Sequence, residues 1–167
     1  YDVVIIGGGG HGLATAYYLA RNHGVRNIAI LEKGYIGSGN VGRNTTIVRS
    51  NYLWDDATHL YEKALQLWEG LSQDLNYNTM FSQRGVLTLA HSRHDLDAQS
   101  RWANAMLCNG IDAELLDAQQ VQALEPRLNG GTDARFPILG GFIHRRAGSA
   151  RHDAVAWGYA RAADQLG

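Results

Sequence analysis

Two short apolar runs and the stretch between them predict a strand, a helix and a second strand at the start of the chain. Residues 3–6 (VVII) and 28–31 (IAIL) are apolar without alternation, which is typical of strands buried on both faces in a parallel sheet. Residues 13–20 favour a helix that Gly24 ends. Three such elements within about 30 residues predict a right-handed βαβ unit.

The rest of the chain alternates between helical and strand patterns after a polar stretch. Residues 34–50 show neither apolar period, which indicates a functional loop or a linker. An apolar stripe then predicts a helix from Asp55 or Asp56 to Gly70, and alternation at 111, 113 and 115 predicts a half-buried strand. The remaining predictions are strands at 85–90 and 138–144, and helices at 95–109, 117–126 and 155–166.

This order predicts an α/β fold in which a Rossmann-like βαβ domain carries a mixed α+β insertion. We divide the chain into a nucleotide-binding unit with its polar loop at 1–50, a mixed α+β segment at 51–144, and a turn and helix at 145–167 that return to the first domain. The chain does not begin with Met, and its last residue, Gly167, sits where a helix cap belongs, so we expect both ends to have been cut from a longer protein.

Composition and charge narrow the classes of partner. Fifteen basic and sixteen acidic residues leave a formal charge of −1, so bulk electrostatics does not favour nucleic acid or an anionic membrane. No apolar run approaches the roughly 20 residues that cross a bilayer, and no secretory signal pattern is present. Cys108 is the only cysteine, which excludes an internal disulfide. We therefore expect a cytoplasmic protein.

The glycine cluster after the first strand has the spacing of a phosphate-binding turn. In G-x-G-x-x-G, Gly7 permits the tight turn, Gly9 admits a pyrophosphate to the backbone, and Gly12 allows close helix–strand packing. The backbone N–H groups of Gly10 and His11 at the helix start are expected to face the phosphates. This context favours a dinucleotide site over a chance glycine cluster.

Glu32 supplies the acidic residue that completes this pattern. It lies 20 residues after Gly12 at the end of the second strand, where its carboxylate can accept hydrogen bonds from both hydroxyls of an adenine ribose. A carboxylate there repels a 2′-phosphate, so NADP is disfavoured. The alternative is an ordinary glycine turn in an α/β domain, with Glu32 merely solvated.

The polar loop at 37–49 favours FAD over NAD. An NAD enzyme usually continues into another crossover helix and strand, whereas this loop is rich in small, amide and hydroxyl residues that can follow an elongated cofactor. The alternative is a mobile surface loop. We expect contacts to phosphate or ribityl oxygens from Asn40, Arg43, Asn44 and Thr45. The backbone of Ile47 is expected to lie against the flavin ring.

Two further motifs carry candidate chemistry. Arg49 follows the short apolar stretch that ends the loop and is the candidate partner of a substrate carboxylate. The alternative is that it bonds to backbone carbonyls or to Asp55 or Asp56. His91 and His94 form H-x-x-H, but no third or fourth ligand lies nearby, so we expect solvated histidines and no metal site.

Several segments together resemble a known family. VVIIGGGGHGLATAYYLA, SGNVGRNTTIVRSNYLW and FSQRGVLTLAH are similar to the glycine oxidase and sarcosine oxidase group within the D-amino acid oxidase-like FAD-dependent oxidoreductases. Residues 40–54 and AGSARHDAVAWGYAR at 147–161 resemble more narrowly the β subunits of heterotetrameric sarcosine oxidases. The likeness runs along essentially the whole chain, although those subunits are more than twice as long.

The resemblance implies an oxidoreductase with two flavins. FAD is held non-covalently and oxidises the N-methyl group of sarcosine or a related amino acid to give glycine. Electrons pass to FMN, which in the matching motif is attached covalently to His152, and O₂ is reduced to H₂O₂. The implied partners are the α, γ and δ subunits, with tetrahydrofolate on a partner as a possible acceptor of the one-carbon unit.

The residues around His152 are compatible with this role. A neutral imidazole nitrogen is a competent nucleophile, and Arg145, Arg146 and Arg151 would keep the ring unprotonated if they lie close to it in space. With Ser149, the same arginines would bind the FMN phosphate. Without the resemblance, His152 is an ordinary histidine at the start of a helix.

Two alternatives remain open at this point. One is an FAD-only enzyme of the D-amino acid dehydrogenase or glycine oxidase type. Covalently bound flavin would distinguish the two-flavin enzyme from it. The other is a non-catalytic dinucleotide-binding or electron-transfer subunit.

Overall fold

The computed structural model describes residues 1–131 and 133–167, in two compact units. Among these residues the helices are α1 (Gly10–His23), α2 (Asp55–Asp74), α3 (Arg93–Cys108), α4 (Ala118–Leu124) and α5 (His152–Leu166), and Asn40–Arg43 form a 3₁₀ turn. The strands are β1 (Val3–Ile6), β2 (Ile28–Leu31), β3 (Ile47–Val48), β4 (Val86–Ala90), β5 (Glu114–Asp117), β6 (Gly140–His144) and β7 (Gly148–Ser149).

The first unit contains the predicted βαβ arrangement and comprises Tyr1–Ile47, Leu67–Ser82 and Ser149–Gly167. Strands β1 and β2 pair in parallel, and α1 connects them. Gly24 ends α1 in the left-handed conformation at φ 68°. Helix α5 packs against α1 and adds Tyr159 to the edge-to-face ring pair of Tyr17 and Tyr18.

The prediction that both faces of β1 are buried is wrong within this chain. Ile5 faces α1, since its side chain lies 3.3 Å from the point where a Cβ on Gly12 would stand. Val4 and Ile6 point the other way and are 52% and 89% exposed. The reason is that α1 covers one face of this two-stranded sheet, and no described residue buries the other.

The second unit is an antiparallel α+β structure that comprises Val48–Gln66 and Gln83–Gly148. Its sheet has the order β4-β6-β5, with the fully buried strand β6 in the centre. Helices α3 and α4 pack on this sheet. Two apolar clusters form its core, one around Met106, Ile111 and Phe142, the other around Leu116, Val121, Ile138 and Ile143.

The strand predicted at 111–115 lies three residues later, at Glu114–Asp117. Ile111 is buried as predicted, but Leu115 is 48% exposed and Leu116 is the buried residue of β5. The pairing with β6 decides this, since Leu116 lies opposite Gly141 and joins the core cluster with Val121. A register shift of one residue exchanges the two faces of a strand.

Helix α2 continues past Gly70, where the sequence predicts its end. Glycine inside a helix costs about 1 kcal/mol relative to alanine, and burial of Leu71 and Leu75, each 2% exposed, offsets that cost.

Replacement of Gly70 by Ala is expected to stabilise the protein. A Cβ added there meets no atom within 4 Å, so the unfolded chain loses conformational freedom without a clash in the folded state. We expect the free energy of unfolding in urea to rise by about 0.4–1 kcal/mol. Gly24→Ala is the matched control and should be destabilising because of its positive φ; a loss of stability in Gly70→Ala would contradict the prediction.

Within the described residues, no helix combines the length and the apolar character that crossing a membrane requires.

Candidate functional site

The turn between β1 and α1 has the geometry that the glycine spacing predicts. Gly7 adopts φ 110°, a conformation that side chains rarely allow. A Cβ on Gly12 would lie 2.1 Å from the carbonyl oxygen of Gly7, so α1 approaches the turn more closely than any side chain permits. Both positions therefore require glycine for the fold of the turn itself.

Gly9 leaves an open approach to the start of α1. It is the N-cap residue, and a Cβ added to it would meet no protein atom within 4 Å. No side chain caps the helix, and its first turn holds no acidic residue, so its first N–H groups are available to a ligand. These groups and the helix dipole at Gly10 and His11 have the geometry that suits linked phosphates.

Glu32 is held rigidly beside this turn. Its two carboxylate oxygens accept hydrogen bonds from the backbone N–H groups of Gly34 and Gly8, each at 2.8 Å. The bonds from Gly34 and then Gly8 lower the pKa of Glu32 below its ordinary value, so the carboxylate is ionised at neutral pH. Each oxygen keeps a second lone pair for a ribose hydroxyl.

An open groove of about 630 Å³ lies at the carboxyl edge of the two parallel strands. Ligands bind at this edge in α/β sheets. Glu32 therefore stands in a groove large enough for a nucleoside, which is lined by Ile6, Gly7, Ile30, Leu31, Glu32 and Lys33.

The polar loop packs directly on the glycine turn. The backbone N–H of Gly37 donates to the carbonyl of Gly8 at 2.9 Å. Val41 lies 3.2 Å from the Cβ position of Gly10, so the loop and the first turn of α1 form one surface.

The side chain of Asn44 shapes this loop from within. Its amide group donates to the carbonyls of Asn40 and Val41, at 3.1 and 2.7 Å, and its oxygen accepts the N–H of Thr46 at 2.7 Å. Thr46 is held at φ 61°, a conformation uncommon outside glycine. Sequence reasoning selected Asn44 for its polarity and missed this bracing contact.

The other loop residues of the predicted site face outward. The side chains of Asn40, Arg43 and Thr45 are exposed and have no hydrogen-bond partner among the described residues, and Ile47 is 50% exposed. They are therefore available to a ligand.

Arg49 is half-buried and bound by its own neighbours. Its Nη1 donates to Oδ1 of Asn51 at 2.6 Å and to the Asn51 carbonyl at 3.3 Å. Its guanidinium carbon lies 4.5 Å from the centroid of the Tyr52 ring. The alternative prediction, that Arg49 bonds to backbone carbonyls, is met by the bond to the Asn51 carbonyl. Neither Asp55 nor Asp56 pairs with Arg49.

His152 is the first residue of α5 and is half-buried. Its Nδ1 is fully buried and has no hydrogen-bond partner among the described residues. Buried polar atoms nearly always have a hydrogen-bond or covalent partner. The partner of this ring nitrogen is therefore expected to lie outside the described residues.

The three arginines near His152 in sequence each have a carboxylate partner. In the second unit, Arg145 pairs with Glu114 and Arg146 with Glu62, both at 2.5 Å. In the first unit, Arg151 pairs with Asp153 at 2.9 Å. Their charges are compensated locally, which weakens the expectation that they form a free phosphate cluster.

His91 lies against backbone carbonyls. Its Nδ1 is 3.2 Å from the oxygens of both Phe136 and Pro137. Across residues 1–131 and 133–167, no group of three or more His, Cys, Asp or Glu side chains has the arrangement that holds a metal ion.

The residues around the glycine turn fit an adenine dinucleotide. The open side of Gly9 and the uncapped helix suit a pyrophosphate, and the ionised Glu32 suits a ribose without a 2′-phosphate. The outward-facing loop that follows can accommodate the rest of an extended cofactor.

Solved structures of known proteins have a similar fold. The chain superposes on glycine oxidase from Geobacillus kaustophilus with a TM-score of 0.87 and 24% identity, over 100% of this chain and 45% of that one. L-Proline dehydrogenase from P. horikoshii gives a TM-score of 0.86 at 22% identity, over 99% and 42%. At these identities the likeness establishes the fold.

Similarity in sequence is much higher to two curated proteins. Sarcosine oxidase subunit beta from Rhizobium meliloti (strain 1021) is 61% identical over all 167 residues, and its counterpart from Arthrobacter sp is 56% identical. The chain spans 40% and 41% of their lengths. Residues 2–167 also match the family described as DAO, FAD dependent oxidoreductase. The family match covers nearly the whole chain, and its glycine turn and acidic residue fit a dinucleotide. This chain therefore belongs to the FAD-dependent oxidoreductases.

Proposed function

We propose that this chain forms part of an enzyme that oxidises sarcosine to glycine and reduces O₂ to H₂O₂. The observation that carries the proposal is the glycine turn at Gly7–Gly12 with Glu32 held beside it, in a chain 61% identical to a protein named sarcosine oxidase subunit beta. The proposed setting is the cytoplasm, in a heterotetramer with α, γ and δ subunits, where tetrahydrofolate on a partner accepts the one-carbon unit.

FAD is held in this proposal by the glycine turn, the helix start and the loop. Gly7, Gly9, Gly10, His11 and Gly12 bind the pyrophosphate, and Glu32 binds the adenine ribose. Bound FAD supplies the two-electron acceptor for amine oxidation. The loop contacts that continue along the cofactor come from Asn40, Arg43, Thr45, the backbone of Ile47, and Asn44 as the brace of the loop.

FMN is attached to His152 in this proposal. The support within the chain is the buried Nδ1 at the start of α5, which has no hydrogen-bond partner in the part of the chain that the structure describes. In this proposal residues 1–50 bind FAD, residues 51–144 begin a substrate domain, and residues 145–167 carry the FMN attachment.

Arg49 binds the substrate carboxylate in this proposal. Its Nη1 is occupied by Asn51, whereas its Nε and Nη2 have no hydrogen-bond acceptor among the described residues. A guanidinium edge with two free donors matches the two oxygens of a carboxylate. Stacking on Tyr52 fixes the plane of the group.

Replacement of Arg49 by Met is expected to raise the KM for sarcosine by about 10- to 100-fold, the value of a lost charge-assisted hydrogen bond or two. Flavin content should stay at the level of the wild-type holoenzyme, because Arg49 does not form part of the dinucleotide site. Steady-state kinetics and the flavin absorbance per chain measure both quantities. A KM equal to that of the wild type would remove Arg49 from the substrate site.

A further inference from the structure

A continuous chain of polar side chains runs through the second unit and ends at the segment that carries Arg49. Asp112 Oδ1 lies 2.8 Å from Nδ1 of His144. Nε2 of the same ring lies 3.3 Å from the backbone nitrogen of Ser50 and 3.1 Å from its Oγ. The Ser50 hydroxyl donates to Glu62 at 2.8 Å, and Glu62 pairs with Arg146.

This chain is buried where it meets the Arg49 segment. Ser50 and His144 are 0% exposed, and Asn51 is 1% exposed. Buried polar groups with satisfied partners fix one local conformation, because any rearrangement leaves a buried group unpaired. The contact joins residues 94 positions apart, and so it ties the Arg49 segment to the central strand β6.

The donors and acceptors determine the state of the imidazole. A backbone N–H can only donate, so Nε2 of His144 accepts from Ser50 and carries no proton. The proton is then on Nδ1, which donates to the backbone carbonyl of Asp112 at 3.2 Å and lies beside the Asp112 carboxylate. In this tautomer His144 binds both Ser50, which follows β3, and Asp112, which precedes β5.

Asp112, His144 and Ser50 have the order of a hydrolytic triad but not its chemistry. The Ser50 hydroxyl directs its proton to Glu62, and its residue is fully buried, so no substrate reaches the oxygen. A nucleophile needs its proton directed to the base and an open approach. The arrangement therefore serves to hold the backbone.

The held backbone positions Arg49. Among the described residues, the guanidinium is hydrogen-bonded to Asn51 and stacked on Tyr52, both of which follow Ser50 directly. The Tyr52 ring stacks in turn on Tyr61 of α2, with centroids 4.0 Å apart. Displacement of the Ser50 backbone would move both contacts of the guanidinium.

We propose that His144 is a positioning residue for the substrate-binding arginine: its unprotonated Nε2 holds the Ser50 N–H and thereby sets the orientation of Arg49. This proposal rests on the proposed function, because Arg49 binds the substrate carboxylate only in that proposal.

Two variants of His144 separate positioning from general structure. In His144→Gln the side-chain oxygen reaches the place of Nε2 and keeps an acceptor for Ser50. In His144→Asn the shorter amide reaches only the place of Nδ1, keeps the partner of Asp112 and loses the acceptor for Ser50. The two variants differ by one methylene and have the same polarity.

The test compares both variants with Arg49→Met in the holoenzyme. We expect His144→Asn to raise the KM for sarcosine by about fivefold or more, the worth of one hydrogen bond, with kcat and flavin content unchanged. His144→Gln should restore most of the wild-type KM. The double variant Arg49→Met/His144→Asn should be no worse than Arg49→Met alone, because His144 acts through Arg49.

Other outcomes overturn the proposal in distinguishable ways. If Arg49→Met raises the KM and His144→Asn does not, or if their effects add independently, positioning by His144 is wrong and the proposed function stands. If both His144 variants lose flavin or unfold, the residue has only a structural role. If Arg49→Met itself has no effect, the carboxylate site in the proposed function fails, and this proposal fails with it.

Discussion

Replacement of His152 by Ala is expected to remove all acid-stable flavin from the protein while FAD remains bound. The physical reason is that the substitution removes the imidazole, including the buried Nδ1 for which no described residue is a hydrogen-bond partner. The adjacent side chains of Arg151 and Asp153 pair with each other, and neither supplies a neutral ring nitrogen in its place. Oxidation of sarcosine with O₂ should fall to background if electrons leave through the covalent flavin.

The measurement is the flavin absorbance of pellet and supernatant after acid precipitation of the complete protein. Trypsin cuts after Arg151 and Arg161, so residues 152–161 (HDAVAWGYAR) form one peptide whose only histidine is His152. Its mass in the wild type should include one FMN. His23→Ala is the matched control, since His23 is exposed at the end of α1 and should keep the covalent flavin.

An unmodified wild-type peptide with all flavin in the supernatant would reject the covalent FMN. That result, with FAD released in equal amount to the chain, would favour the FAD-only alternative.

Alanine at Gly9 and at Gly12 is expected to abolish tight FAD binding for two different reasons. The Cβ of Gly12→Ala would stand 2.1 Å from the Gly7 carbonyl, so the turn itself must open, at a cost of about 3 kcal/mol or more in unfolding free energy. The Cβ of Gly9→Ala meets no protein atom but occupies the approach of the pyrophosphate. The folded apoprotein should therefore tolerate it.

Urea unfolding of the apoprotein and titration with FAD measure these two effects separately. Gly9→Ala should keep the wild-type stability and weaken FAD binding by about 100-fold, which corresponds to about 3 kcal/mol. Gly12→Ala should lose both stability and binding. Gly70→Ala is the control that should keep full affinity, and an unchanged Kd in Gly9→Ala would place the pyrophosphate elsewhere.

Local spacing was sufficient to predict the βαβ unit and the geometry of its turn. The roles of Gly7 and Gly12 depend on atoms fewer than ten residues apart, so the order of residues alone specifies them. The same is true of the helix that Asp117 begins, whose capping box with Gln120 involves neighbours in the chain.

Register and burial in the sheets needed the folded chain. The sequence predicts alternation around Leu115, but pairing with β6 places Leu116 in the core. It also predicts burial of both faces of β1, whereas one face is exposed in this chain. An apolar pattern records which residues can be buried, and the partners that bury them come from distant segments.

The candidate site divides in the same way. Residue order alone predicted the glycine turn, the acidic residue beside it and the polar loop, because each is a short motif beside a strand or a helix start. Tertiary structure alone decided that His144 holds Ser50 across 94 residues, that Arg49 stacks on Tyr52, and that the Nδ1 of His152 is buried with no partner among residues 1–131 and 133–167. No spacing encodes such contacts, since they arise only when separate elements pack and exclude water from the polar groups between them.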